Sequence, residues 1–329
     1  MITDRRLWFG TDFTAQSLRI AALPASFLYA AGWQTYRAIY DLGMKKALEP
    51  HPRTICVGNL TVGGSGKSPL TIYLADIFRN LGREVVISCS GYGSPASEEA
   101  QLAPDGELDP NLWGDEASML RWLLPQVPLV VGRRRVFAAE IAYDFYPNSV
   151  LLLDDGFQHL PLKKLISILI DEPNSKNHWC LPAGPYREPR GNRRLADLVV
   201  PSDGFHLASS PLTFFDPLHS STVEIDELAK CPVEVVCALG RPDRFLEDLR
   251  EVGLSIKASR LFTDHAKYES LGFLKNVPAD VPIITTAKDW VKIRNRQDCQ
   301  KWNWIVAMKS VSIEPEGTFI SWLNAHTPA

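Results

Sequence analysis

The chain has 329 residues, 45% of them hydrophobic and 22% charged, with a formal net charge of −3. This is the composition of an ordinary soluble globular protein with room for two domains, and it lacks the basic excess that draws a protein to nucleic acid. The six cysteines (Cys56, Cys89, Cys180, Cys231, Cys237, Cys299) form no C-x-x-C pair and have no histidine at zinc-finger spacing, so they read as reduced thiols in a cytosolic protein.

Residues 1–50 form the first segment. Ile20 to Tyr36 is uncharged and carries Leu23, Phe27, Leu28, Tyr29 and Trp33, but it also holds Pro24, Ser26, Gln34 and Thr35 and is too short to span a bilayer. Arg5 and Arg6 precede it without a small-residue cleavage site, which argues against a signal peptide. Aromatic residues interleave with Arg5, Arg6, Arg19, Arg37, Lys45 and Lys46. Two readings stay open: an amphipathic helix lying in the headgroups of an anionic leaflet, and a helix packed on the first domain.

A buried strand over Thr54–Leu60 meets a glycine-rich turn, and apolar residues at helical spacing (Leu70, Tyr73, Leu74, Ile77, Phe78) follow. Strand, glycine loop and helix start make a phosphate cradle, because a helix N-terminus offers unpaired N–H groups and the glycines let backbone curl around an anion. The loop comprises Thr61, Val62, Gly63, Gly64, Ser65, Gly66, Lys67 and Ser68. The pattern assigns Lys67 to the β- and γ-phosphates and the Ser68 hydroxyl to Mg²⁺. Thr61 stands where the first glycine of G-x-x-x-x-G-K-[ST] usually falls.

Glu84–Ser90 reads as a second strand. Gly114-Asp115-Glu116 opens a helix through Leu123, with two acids that helix-dipole logic alone would place there. Val127–Val131 is a third strand. Arg133, Arg134 and Arg135 then start a helix with cations against its dipole, which suits either an anionic partner or a solvated face. Val150–Leu153 is an apolar strand ending in Asp154-Asp155, where an acid reaches the Mg²⁺ of a P-loop; an Asx turn would explain one Asp but not two. His159 reads equally as a packed histidine or a participant. After a strand at Leu165–Ile170, the rigid loop Gly184-Pro185-Tyr186-Arg187-Glu188-Pro189 offers Arg187 as a phosphate fork.

The expected fold is α/β: a P-loop NTPase-like, mainly parallel sheet between helices over 51–205, an extended linker over 206–232, and a smaller α/β domain over 233–329. In that last domain strands at Val233–Leu239, Ser255–Phe262, Val281–Thr286 and Trp304–Met308 alternate with helices at Pro242–Val252, around Ala266–Leu274 and at Asp289–Asn295. Asp264 has an N-cap explanation. No guanine-specifying N-K-x-D occurs, since Thr286-Ala287-Lys288-Asp289 has the wrong spacing.

V-G-N-L-T-V-G-G-S-G-K-S, Gly114-Asp115-Glu116, L-L-D-D-G-F-Q-H, G-P-Y-R-E-P, Thr263-Asp264-His265 and T-T-A-K-D-W-V-K together resemble the tetraacyldisaccharide 4′-kinase family of Gram-negative bacteria, in order over nearly the whole chain. The resemblance implies transfer of a phosphoryl group from ATP, with Mg²⁺, to the 4′-hydroxyl of an acylated glucosamine disaccharide 1-phosphate. It implies a cytoplasmic enzyme held peripherally at the inner membrane. It also implies roles: Asp115 as the base with His265 coupled to it, Lys67 and Ser68 on phosphates and metal, and Glu116, Asp154 and Asp155 around metal or substrate. Arg187 and His159 are candidate substrate contacts. The alternative of another class is a membrane-associated regulatory ATPase, whose signature lysine is replaced here by Val62.

Overall fold

A computed structural model describes residues 4–63, 66–172, 175–202, 204–264 and 266–327. The chain forms two compact units, one of residues 1–86, 135–207 and 313–329, the other of residues 87–134 and 208–312. In chain order the first unit receives α1 (Asp4–Phe9), α2 (Phe13–Asp41), β1 (Thr54–Asn59), α3 (Lys67–Asn80) and the start of β2 (Val85–Cys89). β3 (Gln101–Leu102), α4 (Pro110–Trp113), α5 (Asp115–Leu123) and β4 (Leu129–Val131) belong to the second. The chain returns to the first for α6 (Arg135–Phe145), β5 (Val150–Asp154), β6 (Ile166–Ile170), β7 (Leu198–Val200) and the start of β8 (His206–Ser209). The second unit is then built out by β9 (Thr213–Asp216), β10 (Ser221–Val223), α7 (Ile225–Leu228), β11 (Val233–Cys237), α8 (Pro242–Glu251), β12 (Ile256–Leu261), β13 (Pro282–Thr286), α9 (Ala287–Ile293) and β14 (Asn303–Met308). β15 (Val311–Glu314) leads back, and α10 (Glu316–His326) closes the first unit.

In the first unit β5, β1, β6 and β7 lie side by side and parallel. Every residue of β1, β5 and β6 is buried, the continuous apolar run of parallel strands covered on both faces. Register pairs Val57 of β1 with Asp154 of β5, so β1 runs two residues past the end of β5 to Asn59. β1 connects toward β2 and β5 toward β6, in opposite directions from neighbouring strands, which makes their carboxyl ends the switch point where such sheets take ligands.

The second unit centres on a six-stranded sheet in the order β10-β9-β14-β13-β11-β12. β14, β13, β11 and β12 are parallel; β9 and β10 extend the edge antiparallel. One core groups Trp290, Ile293 and Trp304 with Met119, Trp122 and Leu123 of α5; the other groups Phe245, Leu246 and Leu249 of α8 with Val235, Ile284 and Ile305.

These units depart from the boundaries expected in sequence. Residues 87–134, read as part of the P-loop domain, belong to the second unit because α5 lays its apolar face on the Trp290–Trp304 core. Residues 206–232 are strands β8, β9 and β10 with α7, and the segment around 266–274 holds only a single 3-10 turn, Gly272–Leu274, instead of a helix.

α2 docks on the first unit along one side. Ser26 donates to the Cys180 carbonyl (2.7 Å), Arg37 Nε to Glu188 Oε2 (2.7 Å), and Phe27 meets the Trp179 ring edge-on. Buried Ala15, Ser26 and Arg37 recur at an eleven-residue spacing, which keeps them on one helical face. Phe13, Ile20 and Leu28 are exposed away from that face, Phe13 at 86%. Among the described residues no helix is long and apolar enough to cross a membrane.

Candidate active site

The glycine loop between β1 and α3 turns on positive φ at Gly63 (104°) and Gly66 (84°), conformations that side chains resist. Gly66 caps α3 with no side-chain hydrogen bond, so the helix N-terminus is left to an anion. Gly64 and Ser65 lie outside the described residues. Thr61 accepts a hydrogen bond from Asn59 Nδ2 at 3.2 Å, and the Val62 amide donates to the Pro185 carbonyl at 2.9 Å.

Lys67 Nζ lies 3.3 Å from Asn59 Oδ1 and 3.6 Å from Asp155 Oδ2. The Ser68 hydroxyl donates to Asp154 Oδ2 at 2.7 Å, and Thr71, one helical turn beyond Lys67, to Asp154 Oδ1 at 3.5 Å. The two aspartates, interchangeable in sequence, are distinct in space. Asp154 is buried at the strand end, where the guanidinium of buried Arg135 donates to its main-chain carbonyl. Asp155 turns out of the strand at φ 57°, and its Oδ2 accepts from Arg187 Nη1 at 2.9 Å while also facing Lys67. Its other oxygen, Oδ1, is buried with no hydrogen-bond partner among the described residues. A carboxylate with one oxygen shared by two cations and the other unmatched suits further positive charge.

Behind this row, two sequence motifs interlock. The Arg187 amide donates to the Leu60 carbonyl (2.7 Å), and Gln158 Nε2 donates both to the Asn59 carbonyl (2.8 Å) and to Glu188 Oε1 (3.0 Å). Glu188 Oε2 accepts from Arg37 and from Asn192 Nδ2 (2.8 Å), and the Arg37 guanidinium stacks 5.3 Å from the Phe157 ring centroid. The loop that ends β1 is thus buttressed by a buried ion pair whose carboxylate accepts from Arg37, Gln158 and Asn192. His159 is nearby in sequence and uncharged at neutral pH: burial first, then the Lys164 and Arg135 charges, bring its ring down to about 4. Its carbonyl accepts from Lys164 Nζ at 2.6 Å.

Asp115 belongs to the second unit, on the first turn of α5 after Gly114. Its Oδ2 lies 3.6 Å from the Nζ of Lys292, which pairs more closely with Asp289 Oδ1 at 3.1 Å. Asp289 lies in the first turn of α9, which Thr286 caps: its Oδ2 accepts from the Thr286 hydroxyl (2.7 Å) and from the Ala238 amide just past β11 (3.0 Å). The Tyr268 ring covers the Lys292 ammonium at 5.2 Å, and burial, then Asp289, hold its phenol far above the usual tyrosine range. Asp115 and Lys292 line a cavity of about 340 Å³ with Ser94, Asn111, Lys267 and Asn295 among its walls. Lys288 Nζ reaches Asp264 Oδ1 at 3.1 Å; His265 lies outside the described residues. Sequence reasoning placed Asp115 in the P-loop domain, whereas it falls in the unit of residues 87–134 and 208–312.

The structure therefore gathers Lys67, Ser68, Asp154, Asp155 and Arg187 in the first unit, and sets Asp115 and Glu116 in the second. Asn59, Thr71, Gln158, Glu188, Arg37, Asp289 and Lys292 went unread in sequence. Thr71 had a signal, its position one turn after the P-loop lysine; a lysine late in a helix such as Lys292 reads as solvated.

A parallel sheet that carries a glycine loop and G-K-S helix start after one central strand, and an acid at the end of its neighbour, defines a P-loop nucleoside-triphosphate-handling protein. Within that class the sequence is specific. A family model described as LpxK, tetraacyldisaccharide-1-P 4′-kinase, matches residues 18–327, and the chain belongs to that family. It is 34% identical over 291 residues to a tetraacyldisaccharide 4′-kinase of Shewanella woodyi, covering 85% of this chain and 82% of the relative. It is 32% identical over 320 residues to that of Shewanella loihica, covering 94% and 93%. A crystal structure described as the "apo" form of LpxK from Aquifex aeolicus in complex with ATP superposes with a TM-score of 0.81 at 27% identity, covering 94% of this chain and all of that one.

Proposed function

We propose that this phosphotransferase moves the γ-phosphate of ATP to the 4′-hydroxyl of a tetraacyldisaccharide 1-phosphate. The observation that carries the reading is the meeting of Lys67 and Ser68, at the start of α3, with Asp154 and Asp155 at the end of β5. The loop amides and Lys67 hold the β- and γ-phosphates, and Arg187 adds a second cation beside them. A bound phosphate would share both cations with Asp155.

Mg²⁺ fits this site: a hydroxyl and two neighbouring carboxylates are at hand, one with an unmatched buried oxygen, and the ion normally completes its shell with phosphate oxygens and water. Ser68 and Asp154, with Asp155 beside them, would hold it; when bound it neutralises charge on the transferring phosphoryl group. Glu116 is assigned near metal or substrate by family resemblance.

Asp115 is the group that accepts the proton of the sugar hydroxyl, and His265 is its partner on the same resemblance. In the transfer the sugar O–H bond breaks with its proton going to the Asp115 carboxylate, a new O–P bond forms, and the bond from Pγ to the β,γ-bridging oxygen breaks to release ADP. His159, being neutral, contributes at most a hydrogen bond to substrate. Incubation of purified protein with γ-labelled ATP and tetraacyldisaccharide 1-phosphate tests the reading: label at the 4′-position is expected, and label released only as inorganic phosphate would overturn it.

The exposed apolar face of α2 is assigned to the cytoplasmic surface of the inner membrane, where the acylated substrate resides. Replacing Phe13, Ile20 and Leu28 together by serine should abolish flotation with anionic liposomes while leaving turnover of a detergent-dispersed substrate within about twofold. Unchanged flotation would sink this assignment.

A further inference from the structure

The sequence stretch T-T-A-K-D-W-V-K has no part in the phosphate grip, yet its last residue is the most deeply placed lysine beside the proposed base. We infer that Lys292 is a positioning residue, one whose buried ammonium fixes the carboxylate of Asp115; the inference rests on the reading of Asp115 as the base.

Three observations support it. The Lys292 side chain is only 4% exposed, so its charge must be answered by protein. Asp289, whose side chain is fully buried, answers it at 3.1 Å, and Asp289 is itself immobilised, tied to the end of β11 through the Ala238 amide and to the start of α9 through Thr286. The Tyr268 ring closes another side. The Lys292 ammonium therefore has a carboxylate and an aromatic face beside it but no hydrogen-bond partner among the described residues.

A lysine that served packing alone would be satisfied by this one carboxylate. Instead a second acid, Asp115 Oδ2, stands 3.6 Å away at the wall of a cavity large enough for part of a sugar. Asp115 is the first residue of α5, after a glycine with φ 87°. α5 and α9 pack on the same core, so the distance between the two side chains is maintained by Trp122 and Met119 against Trp290. Lys292 thereby turns the Asp115 carboxylate and holds it turned, while touching no reacting atom. Lys288, one turn earlier on the same helix, reaches Asp264 at 3.1 Å in a more exposed pair.

A double-mutant cycle tests this. Lys292→Met should lower kcat on the order of tenfold to a hundredfold, the cost of a misplaced catalytic group, with KM for ATP changed by no more than about twofold. In a background already carrying Asp115→Asn, the same change should lower the residual kcat by less than about twofold, because the group it positions is gone. Lys292→Arg, which keeps the cation and shifts its head, should recover part of the loss. Should Lys292→Met fail to fold, the pair Lys292→Met with Asp289→Asn removes both buried charges together and serves in the cycle instead. An equal factor in both backgrounds, or wild-type kcat in Lys292→Met, overturns the inference. Near-normal kcat in Asp115→Asn alone overturns the assignment of the base, a distinct result.

Discussion

The two acidic centres of this molecule are wired differently. Asp155 in the first unit leans on Lys67 and Arg187 through one oxygen and keeps the other unmatched, at the open end of a sheet. Asp115 in the second unit faces a lysine already neutralised by a fully buried aspartate. The first arrangement leaves one carboxylate oxygen unmatched. The second sets one buried lysine beside two carboxylates. The difference matches the tasks proposed for them: phosphate and metal come and go with each turnover, whereas a base must hold one direction throughout.

The largest effect that would break this comparison comes from Lys67→Ala. It should lower kcat by about a thousandfold or more, as loss of a phosphate-stabilising cation does, with melting temperature little changed; near-normal turnover would remove the phosphate grip from the first unit. Next, Asp115→Asn should depress kcat by about two to three orders of magnitude with ATP affinity within about twofold. Equal losses in both would move Asp115 from base to nucleotide or metal ligand.

A stability measurement sharpens the contrast between exchangeable and permanent pairs. Glu188→Gln leaves the buried Arg37 guanidinium uncompensated and should cost about 3 kcal/mol in urea unfolding. Asp155→Asn, at a partly exposed pair, should cost about 1 kcal/mol or less. The reverse order would mean that the Asp155 pairs are structural. The smallest effect is acid sensitivity of the first unit. His51 and His159 each drop from 6.5 to about 4 on folding, chiefly through burial. Between those values the unfolded chain takes up protons that the folded chain refuses, so stability is full above about 6.5 and is lost as pH falls toward 4. His51→Gln should flatten that fall in a series of melting curves.

Much of the first unit was legible in the chain. The strand Thr54–Asn59, the glycine turn and the start of α3 follow from hydrophobic run and helical spacing, and Val150–Asp154 from an apolar run closed by acids. What escaped were facts of long-range packing. Nothing local in Met119 or Trp122 says that α5 packs on the core around Trp290 and Trp304, more than 160 residues onward, so the grouping of residues 87–134 with that core is not legible in the chain. The Ser- and Pro-rich stretch at 206–232 reads as a linker because its strands are short and half exposed, and it is the pairing of β8 with β15, β9 with β14 and β10 with β9 that makes them strands. Lys292 escaped for the same reason: its burial is conferred by Tyr268 and Asp289, not by its neighbours along the helix.

The route of the chain carries a consequence for its synthesis. Tyr73 of α3 stacks on Phe319, and Arg83 donates to the Thr327 carbonyl at 2.9 Å, so the helix that begins with Lys67 is backed by α10. A ribosome delivers the phosphate loop early and its support last, with the whole second unit emerging between them. Chains stalled or clipped before Glu316 should therefore display a correct loop sequence on an unfinished floor, and proteolysis of such nascent fragments is where the dependence would first become visible.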